Sequence, residues 1–269
     1  MTAPAAVAPA DLVALAEPIA CEVGDRLRGA LEGPAFRIDA KTNATDLVTE
    51  LDLWAERHIT ERLLAARPDD GVQGEEGADV VGTSRVSWCI DPIDGTVNFV
   101  HGIAGFNVSI AAQVDGETVA GVVASPLHDE VFTATLGGGA FVNGVSIRCS
   151  SPASLDRAVI ATGFGYDPVR RRRQAEAVAR AIEHFADIRR MGAAALDLCW
   201  VGAGRFDGYF ERGLNPWDHA AGALVAREAG AVVAGIDGEA PSDALLVAAA
   251  PEIWHDLAAV LRSAGAHEV

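Results

Sequence analysis

The sequence predicts an α+β fold with two sheets, an antiparallel block in the first half and a mixed α/β pattern in the second. Three observations carry that expectation. Apolar residues recur at helical spacing over residues 11–30. Short alternating segments joined by turn residues fill the stretch from about 86 to 135. From about residue 155, strand-like and helix-like segments alternate to the end of the chain.

In the first helix, Leu12, Leu15, Ala16, Ile19, Val23 and Leu27 share one face, and Gly33-Pro34 ends it. A second helix begins near Thr49. There Thr49 and Asp52 stand at capping-box spacing, and Leu51, Ala55, Ile59 and Leu63 form the apolar stripe. Pro68 to Gly71 closes it. Strands are expected over Val86–Ile90, Phe106–Val114, Glu117–Ala124 and Glu130–Thr135, with Asp115-Gly116 as a hairpin signal between the middle two. Gly137–Gly139 and Asn143-Gly144 punctuate the end of that block. The second half reads as strand Ala158–Thr162, helices over about Arg171–Phe185 and Ala193–Ala203, and strand Phe206–Phe210. Helix Trp217–Ala229, strands Val232–Ile236 and Leu245–Ala249, and helix Ile253–Ser263 complete it. No repeat or low-complexity linker divides the chain, so residues 1–269 are expected to form one compact unit of two halves, about 1–150 and 151–269.

The 269 residues suffice for a large core, and 50% hydrophobic with 22% charged residues is an ordinary globular balance. The formal net charge of −17 argues against a broad electrostatic grip on nucleic acid or an anionic membrane. An anionic ligand would need a local override of that field, for which bound cations are the obvious candidate. No stretch approaches ~18 apolar residues; the longest, Ala220–Ala234, is broken by Arg227 and Glu228. Met1 to Ala10 lacks the basic segment of a signal peptide, and Asp11 and Glu17 interrupt the apolar run beyond it. Cys21, Cys89, Cys149 and Cys199 lie far apart, as reduced thiols do. A soluble, cytoplasmic protein is expected.

The most informative segment is Trp88-Cys89-Ile90-Asp91-Pro92-Ile93-Asp94-Gly95-Thr96-Val97-Asn98-Phe99. An expected strand ends in two aspartates separated by a turn-fixing proline, and hard divalent cations favour such clustered oxygen ligands. Taken alone, Asp-x-x-Asp is a strand followed by an acidic turn. Gly95-Thr96 changes its weight: the glycine lets backbone N–H groups approach an anion, and the hydroxyl can orient a water. Gly74-Glu75-Glu76, Asp52 and Asp218 in Trp217-Asp218-His219-Ala220-Ala221-Gly222 add further carboxylates. Each has a bland alternative: a solvated loop, a helix cap, a partner for a helix dipole. It is far less plausible that all five acids are ordinary.

These residues, with Lys41, Asp46-Leu47-Val48-Thr49 and Glu228-Ala229-Gly230, resemble the inositol monophosphatase family of metal-dependent phosphomonoesterases over about residues 12–262. Ala231 stands where the family usually has a second glycine. The resemblance implies an αβαβα layered sandwich of the sugar-phosphatase type, a homodimer, and two to three Mg²⁺ per subunit with Mn²⁺ as a substitute. It implies that Glu75, Asp91 and the Ile93 carbonyl hold one ion, that Asp91, Asp94 and Asp218 hold a second, and that a looser third sits near Glu75. It also implies lithium sensitivity. Asp52 would accept the Thr96 hydroxyl proton, so that Thr96 orients a metal-activated water beside Glu75 for direct attack on phosphorus. Gly95 and Thr96 would cradle the phosphate, with Lys41 nearby. No Cys or His nucleophile is required, and the histidines, His219 included, are taken as structural or surface residues.

For the alcohol portion, the resemblance points to Gly192, Ala193, Ala194 and Glu211, with Asp218 beside the leaving group. The family often has Ser or Thr where Ala193 stands. The implied reaction is hydrolysis of myo-inositol monophosphate. The alternatives are histidinol phosphate, or fructose 1,6-bisphosphate and other small esters. A different class, a protein partner in transcription, is carried by some bacterial relatives. Ala161–Tyr166 and the run Arg170–Arg173 resemble bacterial inositol-1-phosphatases more than histidinol-phosphate phosphatases. Arg170–Arg173 and Arg189-Arg190 each read either as solvated helix or loop charge, or as cations that overhang the site and attract phosphate or join a dimer contact.

Overall fold

The computed structural model describes residues 7–33, 38–41 and 47–268, so Pro34 and Asp46 lie outside the described residues. In chain order the elements are α1 (Pro9–Leu31), β1 (Ile38–Ala40), β2 (Leu47–Thr49), α2 (Glu50–Ala66), β3 (Gly71–Gly74), β4 (Asp79–Val80) and β5 (Val86–Asp94). Then come α3 (Thr96–Val100), β6 (Asn107–Val114), β7 (Glu117–Ser125), β8 (Glu130–Thr135), β9 (Gly139–Val142) and β10 (Val145–Ser146). The second half holds β11 (Val159–Thr162), α4 (Pro168–Ala181), β12 (Asp187–Arg189), α5 (Ala194–Gly202) and β13 (Gly208–Glu211). It ends with α6 (Pro216–Glu228), β14 (Val232–Ala234), β15 (Leu246–Ala249) and α7 (Pro251–Ser263).

An eight-stranded sheet runs β10-β9-β8-β7-β6-β5-β3-β4, antiparallel except where β3 lies parallel to β5. A five-stranded sheet runs β12-β11-β13-β15-β14, mixing parallel pairs around β11 with antiparallel pairs around β15. Strand alternation assigns the layers. On β5, Trp88 and Ile90 face α1 and α2, whereas Cys89 faces α5 and α6. On β13, Tyr209 faces α5 and α6, whereas Phe210 faces the outer core that α4 and α7 cover. The result is α1/α2, sheet, α5/α6, sheet, α4/α7: the αβαβα sandwich that the resemblance implies.

The long elements fall where periodicity puts them. Leu12, Ala16, Ile19, Val23 and Leu27 are all buried, and Thr49 caps α2 with Asp52 at its third position. Two element ends differ most from that reading. β5 does not end at Ile90 but continues through Asp94, because a register shift between Asp91 and Asp94 accommodates Pro92, which has no N–H to offer the ladder. The helix expected to reach Phe185 stops at Ala181 and tightens into a 3₁₀ turn, Ile182–His184. Among the described residues, the short strands β1 to β4, β9, β10 and β12 and the single turn α3 carry too few residues to show a period.

Candidate active site

A cavity of about 420 Å³ opens where residues of the two halves meet. Glu75, Asp91, Asp94, Asp218, Glu211 and Asp167 line it, and Lys41, Arg170, Arg190 and Arg212 are its cationic residues. Ile93, Gly95, Thr96, Gly192 and Ala194 also face it. Ala193 does not. It is 2% exposed and packs behind Gly95, so its side chain is not part of the cavity lining expected of it.

The bulge in β5 sets Asp91 and Asp94. The Asp91 carboxylate accepts the Ile93 N–H at 3.1 Å. Asp94 accepts three donors: Asn107 Nδ2 at 2.8 Å, the Ala195 N–H at 2.8 Å and the Ala194 N–H at 3.2 Å. Gly95 follows at φ 89°, a left-handed conformation, with Ala193 Cβ and the Gly105 and Gly192 carbonyls crowding the place of a side chain. Asn98, a residue without an expected role, donates to the Met191 carbonyl at 2.8 Å and the Gly105 carbonyl at 3.1 Å, tying α3 to the Gly192 segment.

Thr96 Oγ1 lies 3.2 Å from Asp52 Oδ1 and 3.0 Å from the Ile93 carbonyl. Asp52 is fully buried behind the cavity lining, and its other oxygen accepts the Thr49 N–H at 2.7 Å and the Thr49 hydroxyl at 2.5 Å. Its helix-cap role and its contact with Thr96 therefore use opposite oxygens. Lys41 Nζ stands 2.8 Å from Glu75 Oε1 and 2.5 Å from Glu76 Oε1. Asp218 accepts the Asn215 N–H at 2.6 Å at the start of α6. Glu211 accepts the hydroxyl of fully buried Tyr209 at 2.5 Å, and Gly163 leaves the room that its carboxylate occupies.

Burial first, then crowding by like charges, perturbs these groups. Desolvation and the charges of Glu75, Asp94 and Asp218 hold Asp91 well above the ordinary carboxylate range. Desolvation pushes Asp94 up to about 6 against the hydrogen bonds it accepts, and raises Asp218 strongly. Glu211 is pushed up to about 7 by desolvation, with the Tyr209 hydrogen bond and Arg190 opposing. Burial alone would lower Lys41, yet Glu75 and Glu76 leave it raised overall. His219 is lowered to about 4 by burial and Arg227, a neutral ring that fits a structural role.

Whether this acid set suits a hard cation is tested by its chemistry. Glu75, Asp91, Asp94 and Asp218 line one cavity and repel one another, which is relieved either by protons or by a cation with oxygen preference. In donor type the set suits a hard, oxygen-preferring cation. As they stand, no three acid, His or Cys side chains among the described residues are grouped at ligand spacing, and the Lys41 ammonium occupies Glu75.

Of the two arginine runs, Arg170 and Arg190 reach the cavity, whereas Arg171 to Arg173 and Arg189 do not line it. Gly213 and Gly165 leave space for Arg170, and the Arg190 guanidinium lies 6.0 Å from the Phe164 ring centre.

Residues 9–266 match the profile of the inositol monophosphatase family. The Mycobacterium tuberculosis protein called inositol-1-monophosphatase SuhB is 44% identical over 274 aligned residues, covering 94% of each chain. Nus factor SuhB of Pasteurella multocida is 44% identical over 219 residues, 80% of this chain and 82% of that one. The crystal structure of extragenic suppressor protein suhB from Bartonella henselae superposes with a TM-score of 0.88 at 37% identity, covering 94% of this chain and 98% of that one.

Proposed function

The chain belongs to the inositol monophosphatase family and is a phosphatase, and from that premise we propose that it hydrolyses myo-inositol monophosphate to myo-inositol and phosphate. Two to three Mg²⁺ per subunit would serve it, with Mn²⁺ as a substitute and lithium as an inhibitor. The observation that carries this reading is the single cavity in which Glu75, Asp91, Asp94, Thr96, Asp218 and Glu211 converge from both halves of the chain. That convergence also supports one catalytic unit spanning residues 1–269.

Glu75, Asp91, the Ile93 carbonyl, Asp94 and Asp218 would hold the ions. When bound, Mg²⁺ supplies charge neutralisation for the phosphoryl oxygens and acidifies the attacking water. The rest is chemistry of the chain itself. Asp52 takes the Thr96 hydroxyl proton in a hydrogen bond, which aims the Thr96 lone pairs at the incoming water. Glu75 lines the same cavity to accept from that water. Backbone N–H groups at Gly95 and Thr96 approach the phosphate, which the left-handed glycine makes sterically open. Lys41 balances Glu75 and Glu76 and adds positive charge at the phosphate end. Glu211 accepts from ring hydroxyls, while Gly192 and Ala194 leave room for the ring. Histidinol phosphate, fructose 1,6-bisphosphate and other small esters are the competing substrates.

A net charge of −17 argues against direct nucleic-acid binding, and no helix among the described residues is long and apolar enough to cross a membrane. A homodimer in the cytoplasm fits the family resemblance. A second reading, a protein partner in transcription, is favoured by the relative called Nus factor SuhB. The deciding experiment is kcat/KM for inositol 1-phosphate, histidinol phosphate, fructose 1,6-bisphosphate and a nucleoside monophosphate, with and without Mg²⁺. Highest kcat/KM on inositol 1-phosphate, abolished by EDTA, is expected. Preference for another ester overturns the substrate, and full activity in EDTA overturns the metal. Co-purification of partners with the wild type and an Asp94→Asn variant separates the second reading.

A further inference from the structure

The reaction scheme leaves one buried acid of α2 unused. Glu56 is 5% exposed and stands four residues after Asp52, so both project from the same face of the helix. Asp52 reaches Thr96. Glu56 reaches the segment that carries Glu75: its Oε2 accepts the Glu76 N–H at 2.6 Å and its Oε1 accepts the Ala78 N–H at 2.8 Å. The backbone closes around this carboxylate, with the Gly74 N–H donating to the Ala78 carbonyl at 2.7 Å and the Glu75 N–H to the Ile90 carbonyl at 3.2 Å. A Cβ on Gly74 would collide with Glu56 Oε2 and Cδ. Gly74 has no need of left-handed freedom, since its φ is not positive, so what that position requires is the absence of a side chain beside Glu56.

We infer that Glu56 is the positioning residue for Glu75: its carboxylate is the fixed centre about which residues 74–78 turn, and it sets where Glu75 stands in the cavity. The inference rests on the reading of Glu75 as a cation ligand. α2 then serves the site twice, holding Thr96 through Asp52 and Glu75 through Glu56, each through a side chain that does not line the cavity. Only a carboxylate supplies two acceptor oxygens here. An amide in its place sets an NH₂ against one of the two backbone N–H groups, and that end of the turn loses its anchor.

The test is calorimetric Mg²⁺ binding to the full chain, wild type against Glu56→Gln, with amide hydrogen exchange on both. In the wild type the Glu76 and Ala78 amides exchange slowly. In Glu56→Gln, Mg²⁺ affinity falls about ten- to a hundredfold, the range for losing a group that orients a metal ligand. Exchange at those amides accelerates, and KM for inositol 1-phosphate at saturating Mg²⁺ stays within about twofold, as a positioning role involves no substrate contact. A merely structural role would lower the melting temperature without moving Mg²⁺ affinity in the folded variant. If Glu56→Gln does not fold, Gly74→Ala displaces the same carboxylate while keeping its charge, and it must weaken Mg²⁺ in the same way. A folded variant of either kind with wild-type Mg²⁺ affinity, or fast exchange at both amides in the wild type, overturns the inference. A wild type that binds no Mg²⁺ overturns the cation-site reading instead, and the exchange result still reports whether Glu56 fixes the turn.

Discussion

Asp94 Oδ2 accepts the Ala195 N–H at 2.8 Å, so a carboxylate from the first half of the chain caps α5 in the second. Its Oδ1 takes the Ala194 N–H at 3.2 Å. Negative charge at a helix N-terminus is favourable, and here it also fixes the carboxylate at the cavity wall. Oδ2 also accepts Asn107 Nδ2, so both its in-plane lone pairs are taken, whereas Oδ1 with its single donor keeps one free for a cation.

Asp94→Asn is therefore expected to do two things. An amide has one acceptor oxygen against three N–H donors, which costs about 1–3 kcal/mol in stability. Losing the charge at the reacting end lowers kcat by about 10²-fold or more, as for other groups aimed at the reacting centre. Melting temperature and kcat on inositol 1-phosphate read the two effects separately. A destabilised variant with wild-type kcat would leave Asp94 a helix cap and nothing more.

Thr96→Ala should lower kcat at least about tenfold while KM changes little, because the hydroxyl orients water rather than substrate. Asp52→Asn should show the same kinetic split together with a lower melting temperature, since its other oxygen caps α2 through Thr49. Raised KM with intact kcat in either variant would assign the pair to substrate binding.

How far the sequence discloses this arrangement differs from group to group. Asp91, Asp94, Gly95 and Thr96 are adjacent in the chain, and local chemistry alone marks them. Asp52 and Thr96 are 44 residues apart, and their contact depends on α2 packing behind β5. Glu56 is hidden for another reason: a buried acid beside Ala55 and Arg57 has the same sequence pattern as a solvated one on a helix edge. Tyr209 falls in the expected strand Phe206–Phe210, but its full burial and the direction of its hydroxyl depend on the β13 register. Ala193 shows the converse. A small residue after Gly192 fits a substrate wall, yet the helix start turns it inward behind Gly95.

The metal-free protein should lose stability as pH rises through the neutral range. Asp91, Asp94, Asp218, Glu76, Glu211 and Asp197 all have folded pKa values raised above the ordinary range, chiefly by burial. The folded state thus binds more protons than the unfolded one above about pH 4, and stability falls as pH climbs through about 6 for Asp94 and about 7 for Glu76 and Glu211. His219, lowered to about 4, works the other way up to about pH 6.5, a single group against these six and the likewise raised Asp52 and Glu56. Melting temperature in EDTA should be lower at pH 8 than at pH 5. Mg²⁺ should raise it more at pH 8, and binding near pH 6 should release protons. A metal-free melting temperature that climbs from pH 5 to pH 8 would contradict the clustered-acid account.

The substrate itself is best tested at Glu211 and the hydroxyl behind it. Tyr209 donates to Glu211 Oε2 at 2.5 Å, leaving Oε1 for a hydroxyl of the alcohol. A charge-assisted hydrogen bond of that kind contributes about 1.5–3 kcal/mol, or roughly ten- to a hundredfold in kcat/KM. Glu211→Gln should lower turnover of inositol 1-phosphate by that factor. It should barely affect p-nitrophenyl phosphate, which offers no ring hydroxyls, and should leave Mg²⁺ affinity unchanged. Tyr209→Phe removes one buried hydroxyl at almost constant shape and should act in the same direction more weakly, by loosening the Glu211 carboxylate. It also removes the hydrogen bond that opposes desolvation, so Glu211 should titrate higher and the selectivity for inositol 1-phosphate should set in at a higher pH than in the wild type. Equal losses on both substrates would place Glu211 in support of the cation site. No loss on either would remove the strongest residue-level argument for a polyol and leave the competing esters level.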